Sequence, residues 1–390
     1  MNNWYLLHDT INIPGVNILR LKDISYPKLF FELPFKKLES VDYFLIKGVL
    51  EIASNIRHIL RNIDYSLKVS GILEVYFYSD KFDAGGGVFR SYSYILNEIG
   101  LVLADRYTMI FNQTLGGVTH LKYIKDISFF PDNDEGNSWS FGLVTSGNDQ
   151  AVILKNVQLI KSFNIPKYEI LVCCPKGIID EEGFRILDDR CLWTDDRIPV
   201  SAKKNLIAKE AKFNNLIIFH DRIIFSDFFY RELAKLLSAY DVVCFPIFDI
   251  ESKTRRLIDW VALAWDTNDY KKSKSILLPY TYWSPEIYLN GGLLCIKRHF
   301  YLDVLQNTNL HWGEMEDVDF SRRLFLKGLN FTFYDKPIVY STTVRFGRVE
   351  KPNPLRFWLN FIFGPYAKVK NYILIKRRFF VFLKNANFVK

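Results

Sequence analysis

The sequence of 390 residues is poor in methionine and cysteine and contains no long apolar run. Its apolar stretches fall short of the roughly 18 residues that a membrane-spanning helix requires. Because the first residues lack a basic region followed by an apolar run, we expect no secretory signal and a cytoplasmic location. The five cysteines show neither a CxxC pair nor another zinc spacing. We therefore expect buried free thiols in a reducing compartment, including the adjacent pair Cys173-Cys174.

Acidic residues are absent from residues 351–390, which contain nine Lys/Arg and ten aromatic residues. The rest of the chain has 42 basic and 43 acidic residues, so the net charge of +8 is concentrated in this tail. That distribution argues against a protein whose whole surface binds nucleic acid, and we expect no nucleic-acid partner. A basic, aromatic-rich segment favours contact with an anionic membrane surface. A helix packed on the protein, or stacking on single-stranded nucleic acid, are the alternatives.

Length and apolar patterning predict two α/β regions. With 49% hydrophobic residues, the chain is long enough for about two domains, each with a core. Residues 1–135 alternate short apolar strands with helices, and the polar stretch 131–138 is the predicted linker. After it, an apolar strand, a helix capped by Asn148 or Asp149, and a second apolar strand form a βαβ unit. Such a unit predicts a parallel sheet.

Two polar interruptions in the second region are candidates for ligand binding. His220-Asp221-Arg222 interrupts an apolar strand, and ligands of open α/β sheets lie beyond the carboxyl ends of strands. An imidazole beside a carboxylate can hold a divalent cation there, although a turn with an Asp–Arg pair is the alternative. Asn290-Gly291-Gly292 leads into another apolar strand, which allows close approach of the backbone to a ligand. A bulge or tight turn is the alternative for this pair of glycines.

A third segment, from Trp312 to Arg323, concentrates acidic residues at the start of a predicted helix. Glu316 and Asp317 lie at its centre, and Asp319 follows. The first turn of a helix favours acidic side chains electrostatically, which is the simpler interpretation. A carboxylate placed there, at the mouth of a cleft, can also serve as a general base.

The order of these motifs carries a family resemblance. The motifs are, in chain order, His220-Asp221-Arg222, N-G-G-L-L-C-I-K and W-G-E-M-E-D-V-D-F-S-R-R. Through them, residues 139–350 resemble a GT-A glycosyltransferase, of the kind that includes the family-2 enzymes and the β-galactosyltransferases. The resemblance implies a Rossmann-like, mixed and mostly parallel sheet, a nucleotide-sugar donor, and transfer with inversion. In that family a strand-end DxD motif binds the metal and the donor, whereas the corresponding position of this chain reads His220-Asp221-Arg222. The resemblance thus implies Mn²⁺ or Mg²⁺ held by Asp221 and His220, with Arg222 taking over part of the diphosphate charge.

The same resemblance assigns roles to individual residues. Asp317 is the expected base that deprotonates the acceptor hydroxyl, and Glu316 is the near alternative that places a sugar. Trp312 would offer its ring to a sugar, with ordinary packing as the alternative, and Asp319 is expected on the helix surface. For Lys203, Lys204 and Asn205, the alternative interpretation is that they form the solvated start of a helix. The expected donor contacts are Thr145, Ser146, Lys203, Lys204, Asn205, His220, Asp221 and Arg222, and the expected acceptor contacts are Gly291, Gly292 and Trp312.

The first region faintly resembles the second half of a class I SAM-dependent methyltransferase, through residues 41–53 and 66–75. No G-x-G-x-G follows a first strand, so we predict a truncated, inactive α/β domain over residues 1–135 that does not use SAM and that docks on or stabilises the transferase. For the whole chain we predict a peripheral membrane glycosyltransferase acting on a glycan or lipid-linked acceptor in bacterial surface polysaccharide assembly. The alternatives are SAM-dependent methylation and an inactive scaffold, and the oligomeric state stays open.

Overall fold

The structure is a computed structural model. It describes residues 18–20, 39–47, 50, 53, 55–78, 91–103, 105–115, 117–128, 138–176, 183–236, 240–255, 259–264, 274–280, 283–284 and 286–343. The chain divides into two units, Met1–Val344 and Arg345–Lys390. The tail predicted to contact a membrane, residues 351–390, lies outside the described residues. Within the described ranges, no helix combines the length and apolar character that crossing a membrane requires.

The first part of the chain forms a five-stranded sheet and two helices. Its order is β1-β2-β3-β5-β4, with β1, β2 and β3 parallel and β5 antiparallel to both of its neighbours. The first helix begins at Ile56 because the Asn55 side chain accepts a hydrogen bond from the His58 N–H, 3.0 Å away. The elements are β1 Ile18–Arg20, β2 Val41–Lys47, α1 Ile56–Ser66, β3 Leu67–Tyr78, α2 Tyr92–Leu103, β4 Tyr107–Leu115 and β5 Val118–Lys125.

The second part of the chain builds a seven-stranded sheet and two smaller ones. The elements are β6 Ser138–Val144, α3 Gln150–Ser162, β7 Lys167–Cys174, β8 Arg185–Asp188, α4 Val200–Glu210, β9 Asn215–His220, β10 Ile223–Phe225, α5 Phe229–Leu233, β11 Val242–Cys244, β12 Ile247–Asp249, β13 Val261–Ala264, β14 Lys274–Leu277, β15 Ile287–Tyr288, β16 Leu293–Lys297, α6 Arg298–Val304, α7 Glu316–Leu326, β17 Phe331–Phe333 and β18 Val339–Ser341. The large sheet has the order β17-β11-β16-β9-β6-β7-β8. Only β16 runs antiparallel to its neighbours, so the predicted mixed, mostly parallel α/β sheet is confirmed.

Apolar cores cover both faces of the seven-stranded sheet. Ile153 of α3 packs in the core on one face, and Ile207 of α4 with Phe320 of α7 packs in the core on the other. Gly142 in β6 allows α4 to approach, because a Cβ there would lie 2.2 Å from the Ile207 side chain. Four of the five cysteines are buried and free as expected, whereas Cys191 is exposed.

Two apolar runs that the sequence presents as single strands are each divided between sheets. The run 215–225 breaks at Asp221-Arg222, after which β10 joins a separate sheet of order β10-β18-β12. The run 241–249 breaks at Phe245-Pro246 into β11 and β12, which also lie in different sheets. The break after β9 places a polar turn at the carboxyl end of this central strand of the large sheet.

The five-stranded part contacts helix α7 through a buried arginine. Arg57 on α1 pairs with Glu98 on α2 at 2.5 Å. Its Nη1 donates to the carbonyl oxygens of Phe325 at 2.5 Å and Leu329 at 3.1 Å, at the carboxyl end of α7. The guanidinium also lies 3.7 Å from the centre of the Phe325 ring. The positive charge therefore faces the negative end of the helix dipole.

A second set of contacts lies beside the first. Arg61 of α1 pairs with the buried Asp241 at 2.8 Å, and the same carboxylate accepts from the Asn330 N–H at 2.9 Å. Gly328, which follows α7 with a φ of +85°, lies against the Leu101 carbonyl, since a Cβ there would be 2.7 Å away. These contacts fix the end of α7 opposite to its acidic first turn.

Candidate active site

Two adjacent parallel strands bring Thr145 and Asp221 together at the carboxyl edge of the large sheet. In the register of β6 and β9, Val144 pairs with His220, so the residues that follow them are neighbours. The Thr145 hydroxyl donates to Asp221 Oδ2 at 2.7 Å and accepts from the Gly147 N–H at 3.0 Å. Ser146 is exposed beside them. Thr145, Ser146 and Asp221 therefore share one edge, where the sequence predicts donor contacts.

The Gly-Gly turn between β15 and β16 closes this edge from the other side. The His220 N–H donates to the Gly292 carbonyl at 3.0 Å. A Cβ on Gly292 would lie 2.6 Å from Arg222 Nη2, and one on Gly291 would lie 3.1 Å from Asp317 Oδ2. The two glycines thus allow Arg222 and Asp317 to approach the same turn closely.

A sharp turn delivers the first residues of α7 to this position. Gly313 has a φ of +85° and Met315 a φ of +63°, so the chain passes twice through the left-handed region before Glu316. Ser321 Oγ donates to the Asp317 carbonyl at 2.6 Å and accepts from the Leu289 N–H at 2.9 Å. The first turn of α7 is thereby tied to the strand that precedes the glycines.

The Asp317 carboxylate is held by backbone donors in a partly buried position. Its Oδ2 accepts from the Gly291 N–H at 3.2 Å, and its Oδ1 accepts from the Val318 N–H at 2.9 Å. Burial raises the pKa of Asp317, while Lys204 and these N–H groups act in the opposite direction. Burial and the Asp317 charge also raise the pKa of Glu316. A carboxylate with a raised pKa and a fixed orientation suits general-base chemistry.

Lys204 supplies a buried positive charge next to the two carboxylates. Its side chain is fully buried on α4, and among the described residues its Nζ has no hydrogen-bond partner. Burial lowers the pKa of Lys204, and nearby Arg222 lowers it further, whereas Glu316 and Asp317 raise it. The four side chains therefore share one electrostatic neighbourhood.

The side chains on either side of Lys204 bind to other parts of the protein. Lys203 forms an ion pair with Asp189 and donates to the Thr145 carbonyl at 2.9 Å. Asn205 donates to the Gln306 carbonyl at 2.8 Å and accepts from the Tyr301 hydroxyl at 3.1 Å. Both side chains are thus already engaged by protein groups.

The other acidic residues of the motif lie outside the site. Asp319 pairs with Arg323 at 2.7 Å along α7, in agreement with its expected place on the helix surface. Glu314 lies before the helix, where its carboxylate accepts from the His311 N–H at 2.8 Å and lies 3.4 Å from Arg197. Asp317 and Glu316 are thus the carboxylates of this segment that face Lys204.

Four exposed apolar side chains lie around the site and form what we call the apolar rim: Trp193, Ile198, Trp312 and Met315. The Trp312 N–H donates to the Ile198 carbonyl at 3.1 Å, and the Trp193 ring lies 5.4 Å from Lys203 Nζ. Trp193 and Ile198 were not among the residues predicted from the sequence. Their signal is the presence of apolar residues in the otherwise polar segment 193–198 that precedes α4.

The residues at the predicted metal site do not fit a resident divalent cation. Among the described residues, no cluster of three or more His, Cys, Asp or Glu side chains could hold a metal ion. Asp221 is the one carboxylate of the turn 220–222, and its Oδ2 accepts a hydrogen bond from the Thr145 hydroxyl. Arg222 brings a fixed positive charge to the place of a second carboxylate, which disfavours a cation there. The predicted pair of ligands, Asp221 and His220, is therefore incomplete within this part of the chain.

No protein-family model matches the sequence, and no curated protein matches it. Among solved structures, the crystal structure of GalNAc-T7 with UDP, GalNAc and Mn²⁺ is similar, with a TM-score of 0.43, 16% identity, and coverage of 58% of this chain and 48% of that one. The structure of S. aureus TarS 1-349 in complex with UDP-GlcNAc is similar with a TM-score of 0.36 and 10% identity, and the match covers 54% of this chain and 60% of that one. The mannosyltransferase PcManGT from Pyrobaculum calidifontis, in complex with GDP-Man and Mn²⁺, is similar with a TM-score of 0.35 and 12% identity. That match covers 53% of this chain and 58% of the other. The chain thus spans about half the length of the solved structures that it matches.

Proposed function

We propose that this chain is a glycosyltransferase of the GT-A type that transfers a sugar from a nucleotide-sugar donor to an acceptor hydroxyl. The observation that carries the proposal is the position of Asp317. Its carboxylate lies at the Gly-Gly turn with a pKa raised by burial, and the cationic side chains of Lys204 and Arg222 share its neighbourhood. Glycosyl transfer needs a base for the acceptor hydroxyl and positive charge for the departing diphosphate.

In the proposed reaction, the acceptor oxygen attacks the anomeric carbon of the donor as the bond to the diphosphate breaks. Asp317 accepts the proton of the attacking hydroxyl. The Gly291 N–H and Ser321 keep the carboxylate and its helix in place, so orientation is fixed before the substrate binds. Such a direct displacement inverts the anomeric centre. Glu316, one residue earlier and buried, is proposed to place a sugar hydroxyl.

The donor is proposed to lie along the carboxyl edge of β6 and β9. Thr145 and Ser146 follow the first of these strands, and Asp221 follows the second, joined to Thr145 by a hydrogen bond. Asn205 and Lys203 act through the fold instead, because their polar groups are bound to other parts of the protein. The donor sugar and its nucleotide base stay open.

The acceptor is proposed to enter past the apolar rim. Aromatic rings such as Trp312 and Trp193 offer flat apolar surface against which the C–H face of a sugar ring can pack. A glycan or lipid-linked acceptor, in the assembly of a bacterial surface polysaccharide, fits this rim. We also propose that the basic and aromatic residues 351–390 bring the enzyme to an anionic membrane.

The five-stranded part is proposed to be a truncated, inactive methyltransferase-like domain, covering residues 1–135. Its contacts through Arg57 and Arg61 support a stabilising role toward the proposed transferase domain, residues 139–350. Isothermal titration with SAM tests this part of the proposal, since heat of binding would indicate methyltransferase function instead.

A screen of UDP- and GDP-sugars for thermal stabilisation and for release of nucleoside diphosphate tests the proposed function. We expect at least one donor to be turned over, and Asp317→Asn to lower the rate by about 100-fold or more, the contribution of a general base. Asp319→Asn, on the same helix and paired with Arg323, is the matched control and should keep the wild-type rate. Failure of the wild type to turn over any donor would support an inactive scaffold.

A further inference from the structure

We infer that Arg222 and Lys204 together replace the divalent cation as the counter-charge for the donor diphosphate, so that this transferase works without a bound metal. The inference rests on the proposed function, because it concerns how the same site binds its donor. It depends on three features of the described residues: the chemistry of the turn after β9, the position of Arg222, and the environment of Lys204.

The turn after β9 offers one carboxylate where a cation site would need more. Asp221 Oδ2 is engaged by the Thr145 hydroxyl at 2.7 Å, and its main-chain carbonyl lies 3.5 Å from Asn156 Nδ2. The next residue is an arginine. A guanidinium presents several N–H donors in a planar fork that matches phosphate oxygens, and it stays charged at all physiological pH values. The turn is therefore chemically suited to an anion.

Arg222 is held at the site from two sides. Its main-chain carbonyl accepts from the Thr342 N–H at 2.9 Å, next to the pairing of β10 with β18. Its guanidinium packs on Gly292, where a Cβ would approach Nη2 to 2.6 Å. A glycine at this position thus provides the space for the guanidinium beside the carboxyl edge of β9. The arginine reaches the place where the diphosphate of a donor along this edge would lie.

Lys204 adds a second cation that the protein itself does not fully satisfy. Its side chain is completely buried, and within the described part of the chain no group accepts a hydrogen bond from Nζ. A buried ammonium without hydrogen-bond partners is costly, so a site of this kind is stabilised when an anion binds. Glu316 and Asp317 are close enough to interact with its charge, which places the ammonium beside the reacting groups.

The charges of the two side chains match those of the ligand. Each phosphate of a nucleotide-sugar carries about one negative charge, and the two fixed cations supply the same amount. A divalent cation would have to compete with Arg222 for the same phosphate oxygens and would be repelled by it. Fixed cations need no reorganisation when the leaving group departs, so they can stabilise its developing charge.

The test measures nucleotide binding and donor turnover by the full chain after treatment with EDTA and again with added Mn²⁺. UDP and GDP are the binding probes in isothermal titration, and a panel of UDP- and GDP-sugars is used for turnover. We expect binding and turnover in EDTA, with no increase on adding Mn²⁺. Arg222→Met should weaken nucleotide binding by about tenfold or more, as for the loss of a charge-assisted hydrogen bond, and Mn²⁺ should not restore it.

Matched controls separate the site from general charge effects. Arg231→Met removes an exposed arginine on α5, and Lys209→Met removes an exposed lysine of α4. Both should bind nucleotide as the wild type does, whereas Lys204→Met should lose affinity like Arg222→Met. Because Lys204 is buried, its variant is first checked by circular dichroism. The partly exposed Arg222, with Arg222→Lys as the partial rescue, decides the result if Lys204→Met does not fold.

The outcomes distinguish this inference from the proposed function. Binding or turnover that requires Mn²⁺ overturns the inference and leaves the glycosyltransferase proposal standing. Unchanged affinity in Arg222→Met also overturns it. If neither UDP nor GDP binds and no sugar donor is turned over, with or without metal, both proposals fail.

Discussion

Replacing Arg57 by methionine tests whether the five-stranded part stabilises the helix that carries Asp317. Arg57 and Glu98 are 1% and 2% exposed, and their ion pair at 2.5 Å is accompanied by two hydrogen bonds to the end of α7. Losing one partner leaves the other charge buried and uncompensated, which costs about 3–5 kcal/mol. We therefore expect the free energy of unfolding to fall by about 4 kcal/mol.

Urea unfolding, followed by circular dichroism and tryptophan fluorescence, measures this change. For an m-value of about 2–3 kcal/mol/M, the midpoint should fall by about 1–2 M. Removing the stranded charge as well, in Arg57→Met with Glu98→Leu, should recover most of the loss, because apolar replacement of a whole buried pair is often neutral. A single-variant loss below about 1 kcal/mol, the range of exposed ion pairs, would refute the reasoning, as would a double variant no more stable than Arg57→Met.

Three further predictions concern the site. Burial raises the pKa of Asp317, so its carboxylate becomes protonated at a higher pH than the carboxylate of an exposed aspartate. We expect kcat/KM to fall as the pH decreases through that range, and an acidic limb near the ordinary value of about 3.9 would contradict this. Gly292→Ala should displace Arg222 and weaken UDP or GDP binding, whereas Gly100→Ala, which has open space around it on α2, should not; titration calorimetry compares them. Trp193→Ala should raise the KM for the acceptor while donor hydrolysis stays unchanged, and equal acceptor kinetics would remove Trp193 from the acceptor site.

Local patterns predicted the elements whose boundaries depend on nearby residues. Helix α3 begins after Asp149, whose side chain accepts from the Val152 N–H at 3.1 Å, as the capping position predicts. Helix α7 begins at Glu316 within the acidic segment. The Gly-Gly turn lies beside the turn after β9 because β16 is antiparallel to β9 and begins where β9 ends.

The features that the sequence did not reveal depend on tertiary packing. Lys203 and Lys204 are adjacent and chemically identical, yet one pairs with Asp189 and the other faces Glu316 and Asp317. Only the orientation of α4 on the sheet decides between them. The change of sheet after His220 is likewise hidden, because apolar residues continue on both sides of the turn.

The docking of α1 on α7 was also beyond local sequence patterns. Arg57 and Arg61 lie one turn apart on a helix and would be expected at the surface of an isolated domain. Their partners Phe325 and Asp241 are more than 170 positions away in the chain, so no local spacing links them. A docking or stabilising role was expected for this region, but the residues that make these contacts could not be named from the sequence.

The most direct measurement compares the rate of sugar transfer with nucleotide affinity in Asp317→Asn. The central claim is that Asp317 acts as the base at a site whose donor is bound by other residues. It predicts a kcat lower by about 100-fold or more, with a Kd for UDP or GDP equal to that of the wild type. A variant that retains the wild-type kcat, or one that loses nucleotide binding and transfer in equal measure, would contradict the claim.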